Sequence, residues 1–208
     1  RYVAPSRGLG DVYKRQFPLY SFDAAIENAP KVGIEITDFG MEHEPECIKK
    51  YYEGCATLAD MARKAASMEG VDFLSFRMEG GDPNGANKST EELIGELKEI
   101  ADAVDLPLVV CGCKNVEKDA ELFSKAAEAL NGKNAVILSA KEENYKTVGA
   151  AAGLAYKQVV GAESAVDINL AKQLNVLISQ LGVDSKSVVM NVGTAAVSYT
   201  HLRAHETE

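Results

Sequence analysis

Along the middle of the chain, short apolar runs alternate with amphipathic stretches six times. Lys31–Thr37 (KVGIEIT), Val71–Met78 (VDFLSFRM), Leu106–Cys111 (LPLVVC), Ala135–Ser139 (AVILS), Gln158–Gly161 (QVVG) and Ser187–Val192 (SVVMNV) have the length and β-branched content of buried strands. Between them, apolar residues recur at three- and four-residue steps, the spacing of one helix face. A helix is predicted from about Pro45 to Glu69, with Ile48, Tyr51, Tyr52, Cys55, Leu58, Ala59, Ala62 and Ala65 on that face. Ser89 with Glu92 reads as a capping box, opening a helix that buries Leu93, Ile94, Leu97, Ile100 and Ala101. Asn115 caps the next, which ends at Leu130 before Asn131-Gly132. An alanine-rich helix runs from Asn144 to Tyr156, and Asp167 caps one carrying Leu170, Ala171, Leu174, Leu177, Ile178 and Leu181, closed by Gly182.

Six strand-helix units with nearly continuous apolar strands imply an α/β fold, a parallel sheet covered by helices. Such a sheet is either open and doubly wound or closed as an eight-unit barrel. No G-x-G-x-x-G or G-x₄-G-K-[ST] follows any strand, so the usual nucleotide signatures of open sheets are missing. Polar residues cluster instead just after strand after strand, as where the loops of a barrel gather at one mouth. The expected fold is a TIM (β/α)8 barrel truncated to about six strand-helix units, its last two lying beyond Ala196.

The two ends of the chain change the reading of its composition. Ser6–Gln16 and Val197–Thr207 can be encoded by DNA strings that are reverse complements of each other over nearly their whole length, as an inverted library adapter read through at both ends would be. Residues 1–16 and 197–208 are therefore expected to be sequencing-adapter sequence, not native, and 17–196 a partial barrel domain. Two of the three histidines, His201 and His205, fall in that sequence, and their metal-like H-x₃-H spacing carries no weight. Without the ends, 17 basic residues stand against 28 acidic ones, a net charge of −11, which speaks against nucleic acid as a partner. Cys47, Cys55, Cys111 and Cys113 lack disulfide-scaffold or zinc-ribbon spacing, and no apolar run approaches the roughly 20 residues of a membrane span. A cytoplasmic protein is expected.

Candidate chemistry sits at the predicted strand ends. In Arg77-Met-Glu-Gly-Gly-Asp-Pro-Asn-Gly85, Arg77 and Glu79 share a face by two-residue alternation, and the glycine and Asp-Pro-Asn-Gly steps turn sharply. Arg77, Glu79 and Asn84 either line a mouth or form an ion pair and a turn. Cys111-Gly-Cys113 places both thiols on one side, either as the start of a soft-metal site or as small buried side chains; Cys47 and Cys55 look like core packing. Asn144 can orient a ligand or begin a solvated helix. Asp167 and Asn169 follow strand five, where capping alone explains Asp167, and Asn191 and Thr194 end strand six with a carboxamide and a hydroxyl. His43 stands alone in its loop. No Ser/His/Asp or Cys/His set can be assembled, and no strand-end lysine is flanked by apolar residues as a Schiff-base lysine would be.

Several segments together resemble one family: Phe17-Pro-Leu-Tyr-Ser-Phe22, Arg77-Met-Glu-Gly80, Cys111-Gly-Cys113 with Asn115 and Glu117-Lys-Asp-Ala120, Glu143-Asn-Tyr-Lys146, and Asp167-Ile-Asn-Leu-Ala-Lys-Gln-Leu-Asn175. The chain resembles the delta, or small, subunit of the corrinoid iron-sulfur protein of the CO dehydrogenase/acetyl-CoA synthase (acetyl-CoA decarbonylase/synthase) complex. The resemblance covers essentially all of 17–196, and the DINLAKQLN run is its sharpest motif. It implies a TIM barrel paired with a large (gamma) subunit that carries an iron-sulfur cluster and a cobalt corrinoid. That corrinoid passes a methyl group from methyl-tetrahydropterin to acetyl-CoA synthase in the reductive acetyl-CoA (Wood-Ljungdahl) pathway of anaerobic acetogens and methanogens.

The small subunit is then expected to be non-catalytic, its mouth covering the corrinoid at the interface, with no cluster or metal ligands of its own and no nucleic-acid or membrane partner. The methyltransferase and acetyl-CoA synthase would be transient partners. Arg77, Glu79, Asn84, Cys113, Asn144, Asn169, Asn191 and Thr194 are expected around the mouth. Where an Asp-Pro-like end to strand six is the family expectation, this chain has Met190-Asn191-Val192, which puts an aspartate role there in doubt. The alternative is a methyl-tetrahydropterin:corrinoid methyltransferase holding the pterin edge with Asp167 and Asn191. A free-standing aldolase-like barrel would need the strand-end lysine that is absent.

Overall fold

Each apolar run pairs with the run that follows it in the chain. The computed structural model describes residues 31–165 and 167–192. Phe17–Phe22, Thr194 and both segments assigned to adapter sequence lie outside the described residues. Strands β1 (Gly33–Thr37), β2 (Phe73–Arg77), β3 (Leu108–Cys111), β4 (Val136–Ala140), β5 (Val159–Glu163) and β6 (Val188–Asn191) form one sheet in the order β1-β2-β3-β4-β5-β6. Every pairing is parallel. A doubly wound sheet reverses its order at a switch point, and no reversal occurs among the described strands.

Crossovers of one hand that always step to the next strand put their helices on one face. Helices α2 (Leu58–Ala66), α3 (Thr90–Ala103), α4 (Val116–Ala129), α5 (Tyr145–Val148) and α6 (Ile168–Gln180) form that layer, each packed on the next. Alternate strand residues, among them Ile36, Leu74, Phe76, Val110, Ile137 and Val160, meet the helices in the buried core. The remaining strand residues face the other way, around a cavity of about 700 Å³ whose lining draws on all six strands, from Gly33 to Val189.

Two predicted helices are corrected. The Pro45–Glu69 stretch is not continuous: α1 (Glu46–Tyr51) stops, Gly54 takes a left-handed φ of +88°, and α2 starts afresh behind a Thr57–Asp60 capping box. In consequence α1 buries none of its residues, and Ile48 and Tyr51 are each 38% exposed although they belong to the predicted apolar face. The Asn144–Tyr156 helix is α-helical only over α5 and continues as a π-helix, Gly149–Ala155. Gly149 and Gly153 lie so close to Leu181 and Val183 that a Cβ at either would collide with them.

Ser89, Asn115 and Asp167 all cap, each side chain accepting from backbone N–H groups of its own first turn, but the predicted capping box at Ser89 is only half made: Glu92 N–H donates to Ser89 Oγ, and the Glu92 side chain does not return a bond. Gly182 closes the last helix at φ +101°. β5 extends two residues beyond its predicted end, to Glu163, and β4 carries an irregularity at Ser139, since Leu138 pairs with Gly161 and Ala140 with Ala162.

Candidate functional site

Because every strand runs the same way, all the strand C-termini lie at one rim of the sheet. Seven of the eight candidates sit in or just after those ends: Arg77, Glu79 and Asn84 after β2, Cys113 after β3, Asn144 after β4, Asn169 after β5 and Asn191 at the end of β6. Thr194 is outside the described residues. Their environments separate them into three groups.

Arg77 and Asn191 face the cavity side. The Arg77 guanidinium forms a two-armed pair with Glu35 of β1, Nε donating to Oε1 and Nη2 to Oε2, both at 2.8 Å. Glu35 holds the guanidinium even further above its usual range. Glu79, the partner in the ion-pair reading, is exposed instead. Met78 turns into the core, and Glu79 opens a short 3₁₀ turn, Glu79–Gly81. Asn191 donates from Nδ2 to Ser139 Oγ at 3.3 Å, reaching across β5 to the irregular end of β4.

Cys113 is committed to its own loop, and Asn144 to its own loop and the start of α4. Asp119, in the first turn of α4, accepts from the Cys113 backbone N–H at 2.7 Å and from its thiol at 3.2 Å. Burial pushes the Cys113 thiol up to about 11, and burial also raises the Asp119 carboxyl. Gly112 makes this possible, because a Cβ there would run into the Asp119 carboxylate. The two thiols do not share a side: Cys113 belongs to the helix-side core, whereas Cys111 lines the cavity and pairs with Ser75 Oγ at 3.4 Å. The Gly112 turn sends them to opposite faces. Cys47 is exposed rather than packed in the core, since α1 buries nothing. Asn144 Oδ1 accepts from Lys141 N at 2.7 Å, and its Nδ2 donates to Val116 O at 3.4 Å.

Asn84 in the β2–α3 loop, Asn169 in the first turn of α6 and Glu79 in its 3₁₀ turn are exposed above the rim. The Asn84 N–H is held by Asp82 Oδ1 at 2.9 Å, and the Asn169 N–H by Asp167 Oδ1 at 2.8 Å. Asp167 therefore serves as a cap.

Sequence reasoning missed the group that anchors the β2–α3 loop. Asp38, just past β1 and buried, accepts two bonds from Gly80 N (3.0 and 3.1 Å) and pairs with Lys88 Nζ at 3.0 Å. Lys88 also donates to Asp38 O at 2.9 Å and pairs with Glu96 at 3.2 Å. Both ends of the exposed 83–87 tip are thus pinned to Asp38. The available signal was an acidic residue closing an apolar strand beside a Gly-Gly step.

The rim offers a part-exposed guanidinium and several carboxamides, groups that bind carbonyl, amide and oxyanion partners by hydrogen bonds. Among the described residues, no cluster of three or more His, Cys, Asp or Glu is placed to hold a metal ion. His43 is exposed, edge-on to Phe39 at 5.1 Å. No helix of the described residues is long and apolar enough to cross a membrane.

These features define a singly wound parallel α/β domain with a polar, amide-rich rim at its strand C-termini. Residues 15–206 match the CO dehydrogenase/acetyl-CoA synthase delta subunit family, and the chain belongs to that family. It is 31% identical over 186 residues, 88% of the chain, to the acetyl-CoA decarbonylase/synthase complex subunit delta of Methanothermobacter thermautotrophicus, covering 48% of that protein. With the subunit delta of Methanocaldococcus jannaschii it shares 31% identity over 196 residues, 92% of the chain and 48% of the relative. For that of Archaeoglobus fulgidus the figures are 30% over 191 residues, 89% and 41%. The chain spans about half the length of these curated relatives, or less.

Proposed function

We propose that this chain is part of a delta subunit serving methyl transfer from methyl-tetrahydropterin to acetyl-CoA synthase, its sheet closing as a TIM barrel whose rim covers a corrinoid carried by a large partner subunit. The observation that carries this reading is the rim itself: one guanidinium and several carboxamides lie there, and the thiol–carboxylate contact of Cys113 with Asp119 is buried, its thiol pushed up to about 11. Such a surface recognises and shelters. A corrinoid bears carboxamide arms, and Arg77, Asn84 and Asn191 have matching donors and acceptors. When bound, the corrinoid supplies a cobalt centre that accepts and releases the methyl group. This chain's residues would hold its periphery and exclude water and oxidants, work suited to a partner that can move away when donor or acceptor approaches.

The barrel part of the proposal draws support from both ends of the sheet. Among the described strands β1 and β6 each have one unpaired side. Exposed apolar side chains occur in the segments next to both in sequence: Val32 just before β1, Ile48 and Tyr51 in α1 after it, and Val176 in α6 before β6. Further strand-helix units would cover these groups and complete the cavity wall. In the same proposal the native part is 17–196. Sequencing the source DNA outward is expected to replace both ends with coding sequence that continues the frame.

The functional test is reconstitution of the full-length subunit with the large corrinoid-carrying subunit under anaerobic conditions. A stable complex with an altered corrinoid visible spectrum is expected. Tight binding of methyl-pterin, with methyl transfer to free cobalamin in the absence of any large subunit, would overturn the proposal in favour of the methyltransferase.

A further inference from the structure

Nothing in the sequence motifs singles out Glu35, yet it grips the one strongly basic group on the cavity-facing side of the described strands. Its carboxylate occupies the Nε–Nη2 edge of Arg77 with two parallel bonds of 2.8 Å. The pair is part-exposed on the cavity side, 28% for Arg77 and 42% for Glu35. Register fixes the direction of approach. Glu35 is level with Ser75, whereas Arg77 is level with Thr37, so the carboxylate comes from two residues nearer the strand N-termini, about 6–7 Å below the rim-side row. No acceptor among the described residues takes the opposite guanidinium edge, Nη1.

We infer that Glu35 is a positioning residue. Held from below by Glu35, Arg77 turns its unoccupied Nη1 edge toward the rim as a fixed donor for a carbonyl or carboxamide oxygen of whatever the rim covers. The physical reason is the planarity of the guanidinium. Fixing one edge by a two-armed carboxylate fixes the other, so the donor is ordered before the ligand arrives. A guanidinium with no such anchor would lose rotamer freedom on each encounter. Glu35 also lowers the local positive charge, which favours a neutral amide oxygen over a phosphate. The inference rests on the proposed corrinoid-covering role and names how one contact of that role is prepared.

The test uses the full-length subunit with its large corrinoid-carrying partner, comparing wild type, R77A, E35A, E35Q, E35D and the R77A/E35A pair. The readouts are the dissociation constant between subunits, the corrinoid visible spectrum in the complex, and the melting temperature of each free variant. For R77A and E35A, equal weakening of about tenfold and equal loss of the spectral change are expected, with no further loss in the double variant. E35D and E35Q, which keep an acceptor, are expected to recover part of both, and they stand in for E35A if that variant does not fold. If wild type binds and alters the spectrum but the Glu35 variants match it, whatever their melting temperatures, the inference is overturned while the proposed function stands. If wild type itself neither binds nor alters the spectrum, the proposed function has failed, and the inference goes with it.

Discussion

At the scale of single residues, the tightest constraint is the loop after β3. Gly112 cannot carry a Cβ without striking Asp119, which itself holds Cys113 by backbone and thiol. G112A is therefore expected to cost about 1–3 kcal/mol in urea unfolding, and D119A a similar amount. D119N, which keeps the acceptor oxygen, should cost less. Burial raises the Asp119 carboxyl above its ordinary 3.8, so the folded state holds that proton more tightly than the unfolded chain does. Its contribution to stability is therefore most favourable below that ordinary value and declines as pH rises through the window up to the raised one. Comparing wild type with D119N across that window should show the slope disappear. Thiol chemistry offers a second check, since the thiolate is the reactive form. Exposed Cys47 is expected to react with iodoacetamide near neutral pH. Cys113, pushed up to about 11, and Cys111, raised by burial, should react only after unfolding.

At the scale of elements, the strands were legible because each apolar run is buried against the helix layer and pairs with its neighbour in the chain. Caps were legible for a similar reason, since Ser89, Asn115 and Asp167 bond within their own first turn. What escaped depends on partners distant in sequence. The apolar face predicted over 45–69 ignores Gly54 and the Thr57–Asp60 box, local signals outweighed there by a run of apolar residues. The π-helix follows from packing against Leu181 and Val183, which no local pattern announces. Glu35 lies 42 residues from Arg77, and Asp38 lies 42 from Gly80; only the strand register brings them together. The rim could thus be located from strand ends alone, whereas the assignment of Cys113 and Asn144 to loop-building needed the three-dimensional contacts. The cap at α6 can be tested directly: D167A should lose about 1 kcal/mol of stability in urea denaturation.

At the scale of the whole molecule, the sheet's outer edges decide behaviour. Residues 31–192 expressed alone should self-associate, because the outer sides of β1 and β6 are templates for further pairing once nothing beyond them is present, and apolar side chains such as Val32 and Val176 stand exposed. Sedimentation analysis would show this, and a monodisperse, cooperatively unfolding monomer would count against barrel closure.

The strictly sequential strand order also has a consequence for biosynthesis. Each described strand-helix unit pairs with the unit made just before it, so up to closure the chain can settle onto itself in the order in which it leaves the ribosome. The advancing strand edge stays open to neighbouring nascent chains throughout that process. Slow translation would therefore prolong the interval in which copies capture one another, and assembly yield should depend on how quickly the later units emerge.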